Sequence, residues 1–296
     1  MSNSMSKDSR WRREMATQLS SVYSAHDNVR TILLGGSPSK GLSDAYSDID
    51  MVVYWEELDT DFIDNAPLTE WGGNRGLHLK MSPAGSQMEL YYFDTLIFEV
   101  GHMTLKEWDS YIDEVLNKHS LNPMLLKTMG GFLSALPLYG EKLADNMKSK
   151  IREMPRALAV KIVQQNLGFF WKGCIVNQGI NRGEILFVYD AFCATLKRLL
   201  FILAGLNGRY FAPVEPRWIE HELEHMDLKP ADMWQRIKSI FKMDYVEANK
   251  MIEELIVETV ALVERHMPEV DMSRYRETSE IEINPTYKMP KIKKLT

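Results

Sequence analysis

The sequence predicts an α+β fold. A mixed sheet flanked by helices is expected over residues 1–118, an all-helical region over 119–267 and an irregular tail over 268–296. Three observations predict it. Short β-branched and aliphatic runs, bounded by Gly, Ser and Asp, fill the stretch between Val29 and Met103. Beyond about residue 120 they give way to long segments with apolar residues every three or four positions, the period of an amphipathic helix. The chain has 296 residues, which at roughly 150 per domain suits two domains.

The elements follow in order. Residues 1–9 read as a loose tail. Trp11, Met15, Leu19 and Val22 share one face of a helix over 10–23, and His26-Asp27-Asn28 ends it. Strands are expected at 29–34 and 48–55, separated by a segment rich in Gly, Ser, Pro and Asp. Residues 59–73 read as mostly loop with room for a short helix. A third strand is expected at 75–81, and two more at 87–93 and 96–103 around an Asp94-Thr95 turn. Thr104 suits the N-cap of a helix over 104–116, with Glu107 completing a capping box. Later helices are expected near 123–136, 141–153, 155–178, 184–205, 215–226, 230–240 and 244–266, punctuated by Gly and Pro.

Composition excludes several classes. Hydrophobic residues make up 45% and charged residues 26%, as in an ordinary globular protein. No apolar run approaches the roughly 20 residues of a membrane span, so no membrane partner is expected. Met1 to Arg13 is Ser-rich and then basic, without the apolar core of a secretory signal. Cys174 and Cys193 sit among apolar residues and are too few for a disulfide framework, so a reducing cytoplasm is the expected setting. The formal net charge is −6. A nucleic-acid binder carries a basic surface, so nucleic acid is not the expected partner. The basic end (Lys288, Lys291, Lys293, Lys294) reads as a solvated tail, and the 18 methionines as core filler.

The chemistry concentrates between Leu33 and Val53, LLGGSPSKGLSDAYSDIDMVV. A strand ends in Gly35-Gly36-Ser37, and Pro38 suits the first turn of a helix. Free backbone N–H groups at such a start bind phosphate. Gly36 lets a phosphate approach the backbone, Ser37 offers a hydroxyl and Lys40 a cation. Asp48 and Asp50 then open a strand whose alternation puts both on one face. Two carboxylates placed together suit a hard divalent cation such as Mg²⁺, with phosphate oxygens completing its shell. A third acid is expected from a neighbouring strand. Glu99 interrupts the apolar run Leu96-Ile97-Phe98-Glu99-Val100, whereas Asp94 has a local reason to occupy its turn.

This stretch resembles the nucleotidyltransferase signature of the DNA polymerase β superfamily. The resemblance rests on Gly36-Ser37, then Ser47-Asp48-Ile49-Asp50-Met51, and a later acid in Phe98-Glu99-Val100 followed by Leu105-Lys106-Glu107-Trp108. It covers roughly the first 115 residues. The helical region is similar to that of small-molecule nucleotidyltransferases of the aminoglycoside and lincosamide type, through Leu138-Tyr139-Gly140 and the segment from Ala204 to Tyr210. The resemblance departs at Lys40, where family members often carry Arg, so charge is kept but bidentate phosphate binding is lost.

The resemblance implies an N-terminal nucleotidyltransferase domain and a helical substrate or lid domain. The implied activity is transfer of a nucleoside monophosphate, with AMP expected, from ATP or another nucleoside triphosphate to a hydroxyl of a small-molecule acceptor. The acceptor could be an antibiotic. Two Mg²⁺ ions are implied as cofactors, held by Asp48, Asp50 and Glu99. Gly36, Ser37, Lys40 and Ser47 would bind the triphosphate. An acidic protein suits a cationic acceptor such as an aminoglycoside.

Other readings compete. Small nucleotidyltransferase domains also serve in antitoxin pairs or modify proteins. His221-Glu222-Leu223-Glu224-His225 matches the H-E-x-x-H of zinc hydrolases, with Glu247 imaginable as a third ligand. However, Trp218, Ile219, Leu223 and Met226 supply an ordinary apolar stripe there, and acids alternate along the segment. Asp190 and Lys197 share one face of an apolar helix and are candidates for substrate contact.

Overall fold

The computed structural model describes residues 5–286, and the chain divides into two compact units between Met154 and Pro155. The lysines at 288–294 lie outside the described residues.

In the first unit, helix α1 (Lys7–Ser24) is capped by Ser6, whose hydroxyl accepts from Ser9 N. Strand β1 (Val29–Leu34), the short helix α2 (Gly36–Lys40) and strand β2 (Ile49–Trp55) follow. Helix α3 (Thr60–Asp64) and a 3₁₀ turn (Pro67–Trp71) lead into β3 (Asn74–Lys80), β4 (Gln87–Phe93) and β5 (Leu96–Thr104). Helix α4 (Leu105–Ile112) continues as a π turn over Asp113–Asn117. Helix α5 (Pro123–Ser134), strand β6 (Leu136–Tyr139) and helix α6 (Glu141–Ile151) complete the unit. The sheet order is β3-β4-β5-β2-β1-β6, with β2 and β5 parallel and the other pairs antiparallel.

One sheet face packs against α1. Ile49, Met51, Val53, Phe98 and Val100 are buried with Ala16, Leu19 and Tyr23 of that helix. The alternation that buries these residues turns Asp50, Val52, Glu99 and Gly101 to the other face. There, Trp108 of α4 and Phe132 of α5 pack edge-on against Tyr54 and stack on each other at 4.1 Å.

The boundary expected at 118/119 and the observed division at 154/155 differ for a specific reason. Residues 136–139 were expected at a helix end and turn, but they form β6, which pairs with the β1 edge and draws α5 and α6 into the first unit. The hydroxyl of Thr31 also donates to Tyr139 O at 2.7 Å. Thr104 caps α4 as expected, accepting from Glu107 N at 3.1 Å. The capping box does not close, because Glu107 Oε1 accepts from the Ser82 and Tyr111 hydroxyls.

The second unit is helical: α7 (Arg156–Asn166), α8 (Ile185–Leu206), α9 (Ile219–Glu224), α10 (Met233–Ile240), α11 (Tyr245–His266) and α12 (Ser273–Glu280). Gly205 lets α7 and α8 cross closely, since a Cβ there would stand 2.7 Å from Val163 Cγ2 and 3.0 Å from Ala159 O. The single helix expected over 155–178 ends at Asn166; a π turn (Ile175–Gly179) and a 3₁₀ turn (Ile180–Arg182) precede α8. The segment expected as irregular contains α12, and Ile283 N donates to Lys172 O at 2.9 Å, pinning it to the chain before α8. Cys174 is buried, but Cys193 is exposed, contrary to the apolar setting expected for it. No helix among the described residues is long and apolar enough to cross a membrane.

A buried polar network braces the core face of the sheet. Trp55 Nε1 donates to His102 Nδ1 at 3.2 Å. That leaves the His102 proton on Nε2, which donates to Glu89 Oε2 at 3.0 Å. Tyr91, Arg75 and Tyr23 also donate to the Glu89 carboxylate, at 2.5, 3.2 and 3.3 Å. Burial alone would raise the Glu89 carboxyl, but these donors outweigh it and hold it below the ordinary value. Burial pushes His102 below the ordinary imidazole value against the pull of Glu89.

The sign of the pH dependence follows. The unfolded chain takes a proton on His102 below about pH 6.5 and on Glu89 below about 4.3, where the folded chain does not yet. Stability therefore falls with falling pH, first through His102 and then through Glu89. The thermal midpoint of the wild type should drop between pH 7 and 5. His102→Gln, which does not titrate, should flatten that part of the curve; equal slopes in the two proteins would contradict the assignment.

Candidate active site

The turn after β1 is tied to β2 by backbone. Gly35 N donates to Asp50 O at 2.8 Å. Gly36 has φ +62°, and a Cβ at that position would overlap Asp50 Oδ2. The Asp50 carboxylate therefore lies against the bare Cα of Gly36, at the start of α2. Any larger residue at 36 meets both left-handed backbone strain and this carboxylate. Gly36→Val should lower the affinity for a Mg²⁺-bound non-hydrolysable triphosphate at least tenfold by calorimetric titration. Unchanged affinity would make the segment a turn and nothing more.

Helix α1 fixes the loop over 36–47. Arg12 is buried and donates from Nε and Nη2 to Ser47 O at 3.0 and 2.8 Å. Arg13 donates to Pro38 O and Ser39 O at 2.8 and 3.0 Å. Ser9 Oγ accepts from Ser43 N at 2.8 Å, and Ser6 Oγ donates to Ser43 O at 2.8 Å. Sequence reasoning missed these four residues. Their only signal was a cluster of Ser and Arg at the start of α1, the helix that precedes β1 and the glycine turn.

The expected phosphate ligands take distinct positions. Gly36 is exposed, while Ser37 is buried with its hydroxyl 3.2 Å from that of Ser43. Its side chain braces the loop, which leaves the backbone as the part of this turn suited to phosphate. Lys40 is half-buried at the end of α2. Ser47 Oγ donates to Asp44 Oδ1 and accepts from Asp44 N, both at 3.0 Å, which closes the turn ahead of Asp48.

Asp50 and Glu99 are register partners on the parallel strands β2 and β5. Both are half-buried, and both project from the face opposite the α1 core. Asp48 lies one residue ahead of β2, so strand alternation does not fix its side chain as it does that of Asp50. Asp94 has φ +53° in the β4–β5 turn, a conformation Asp tolerates, which accounts for its presence there.

Among the described residues, no three His, Cys, Asp or Glu stand ready as a metal-holding group. Mg²⁺ does not require one, because it takes one or two carboxylates and completes its octahedron with phosphate oxygens and water. The hard-oxygen pair Asp50 and Glu99, with Asp48 two residues ahead and the bare Gly36 alongside, fits that pattern.

The H-E-x-x-H segment is used otherwise. Helix α9 ends at Glu224, so His225 lies beyond it. His225 Nδ1 is 2.7 Å from His221 O, and Glu222 Oε2 accepts from Arg209 at 3.3 Å. The zinc-activating Glu is thus committed to an arginine. Lys197 donates to Val214 O at 3.3 Å, and Asp190 is exposed on α8.

No family model and no curated protein matches the chain. Among solved structures, it is similar to a nucleotidyltransferase-like protein from Exiguobacterium sibiricum, at 14% identity over 87% of this chain and 79% of that one, with a TM-score of 0.36. It is also similar to Cid1 in complex with its short product ApU, at 12% identity over 44% of this chain and 42% of that one, with a TM-score of 0.27. A cytoplasmic RNA terminal U-transferase matches at 15% identity over 43% of this chain and 40% of that one, with a TM-score of 0.26. At such scores the functional reading rests on this chain's own residues.

Proposed function

We propose that this protein is an enzyme that transfers a nucleoside monophosphate, AMP in the first instance, from a nucleoside triphosphate to the hydroxyl of a small-molecule acceptor. The observation that carries this reading is the register pair Asp50 and Glu99, with the Asp50 carboxylate seated against the bare Cα of Gly36, where a side chain would overlap it. The backbone at Gly36 and Ser37, with Lys40, would hold the β- and γ-phosphates. Ser47 shapes the turn into Asp48. Asp48, Asp50 and Glu99 would hold two Mg²⁺ ions. When bound, these neutralise charge on the leaving pyrophosphate and lower the pKa of the acceptor hydroxyl.

The transfer balances simply. The acceptor oxygen forms a bond to the α-phosphorus, and the bond from that phosphorus to the oxygen bridging to the β-phosphorus breaks. Pyrophosphate departs with the electron pair. Glu99 takes the proton from the acceptor hydroxyl. The resemblance to aminoglycoside and lincosamide enzymes supports trying hydroxyl-bearing antibiotics first. Incubation with Mg²⁺, each nucleoside triphosphate and such a panel should yield pyrophosphate and an acceptor heavier by one nucleoside monophosphate. Release of inorganic phosphate without a heavier acceptor would contradict the reading.

A further inference from the structure

The sheet face that bears Asp50 and Glu99 continues beyond β5. Asp50 pairs with Glu99, Glu99 with Leu90 and Leu90 with Leu77, a single row across β2, β5, β4 and β3. In the next row Gly101 pairs with Met88 and Met88 with Leu79. The intervening residues turn to the reverse face, where Glu89 and His102 are buried. On the near face Leu77 is 41% exposed, Leu79 40% and Tyr92 41%, and Met88 and Leu90 are half-buried. A Cβ on Gly76 would overlap the Tyr92 ring, so that ring packs against the bare glycine. Gly101 adds no side chain to the row beside Glu99.

An apolar floor thus begins one strand away from the carboxylate pair. At about 4.8 Å between strands, Leu90 and Leu77 sit roughly 5 and 10 Å from Glu99 along the row. Contiguous exposed apolar surface of this kind marks a binding face. Register restricts the occupant, because a molecule whose hydroxyl reaches Glu99 from the β4 side must cover Leu90 first and Leu77 next. The charges in that row, Asp50 and Glu99, lie at one end only.

We propose that the acceptor is a small molecule with an apolar ring or alkyl body that lies on this floor and presents its hydroxyl to Glu99, in preference to a polycationic sugar. This rests on the transferase reading of the same site and names its acceptor class. The oxygen that joins the α-phosphorus belongs to the hydroxyl at the polar end of that body, its proton goes to Glu99, and pyrophosphate leaves.

The test uses the full chain with Mg²⁺ and a non-hydrolysable ATP analogue. Three probes are titrated: 2-naphthol, sorbitol and an aminoglycoside. The wild type should bind one 2-naphthol and neither of the others at the same concentration. Leu77→Asp and the milder Leu79→Asn alter half-exposed positions on an edge strand, and thermal midpoints check that each folds. Both should weaken 2-naphthol at least tenfold and leave triphosphate affinity within twofold. Triphosphate binding without 2-naphthol binding, or 2-naphthol binding unchanged in both variants, would overturn the apolar acceptor alone. A wild-type dimer that becomes monomeric in the variants would make the floor a subunit interface and overturn it too. Failure to bind triphosphate would remove the transferase reading and this proposal with it.

Discussion

Asp50→Asn is expected to give a folded protein whose transfer rate is lower by roughly 10²–10⁴-fold. The fold should survive because Gly35 N bonds the backbone oxygen of residue 50 and not its side chain, and Asn keeps the shape that lies against Gly36. The chemistry should not survive. On the proposed reading the carboxylate would contribute negative charge where the metal and phosphates meet, and stabilisation of that kind is worth several kcal/mol, at about 1.4 kcal/mol per decade of rate. Asp48→Asn is expected to reduce transfer in the same direction. The measurement is the initial rate of pyrophosphate release, with the thermal midpoint as a control. Full activity in Asp50→Asn would remove the metal-binding assignment.

Glu99→Gln should separate chemistry from triphosphate binding. Glu99 adjoins Asp50 in register but lies one strand further from Gly36, on the side where the apolar floor begins. Its loss should therefore affect the acceptor more than the phosphates. Near-normal Mg²⁺-triphosphate affinity is expected, with transfer reduced by roughly 10²–10⁴-fold, the range of a lost general base. Asp94→Asn is the control, since that residue serves the β4–β5 turn. A crippled Asp94→Asn beside an active Glu99→Gln would mean that the third carboxylate is misassigned.

Much of the first unit was legible because its signals are local. The apolar run ending in Gly35-Gly36, the alternation around Asp50 and the turn at Asp94 each depend on neighbours a few residues away. The pairing of Asp50 with Glu99 was expected only as adjacency. Its register is set by a parallel contact between strands far apart in sequence, and no local pattern encodes that. Strand β6 escaped notice for the same reason, since four residues that include Pro137 become a strand only when β1 offers an edge. The break after Asn166 was hidden, although Gly168 and Gly173 mark it, because the apolar spacing across that stretch still reads as helical. Arg12 and Arg13 were invisible as site residues because an arginine that holds backbone carbonyls leaves no motif.

The most direct test of the central claim follows the phosphorus. ATP labelled at the α-phosphorus and ATP labelled at the γ-phosphorus are supplied in parallel with Mg²⁺ and an acceptor that gains mass. If the site performs nucleotidyl transfer, the α-label moves to the acceptor and the γ-label appears only in pyrophosphate. Appearance of the γ-label on the acceptor would make the reaction a phosphoryl transfer and contradict the roles assigned to Gly36, Asp50 and Glu99.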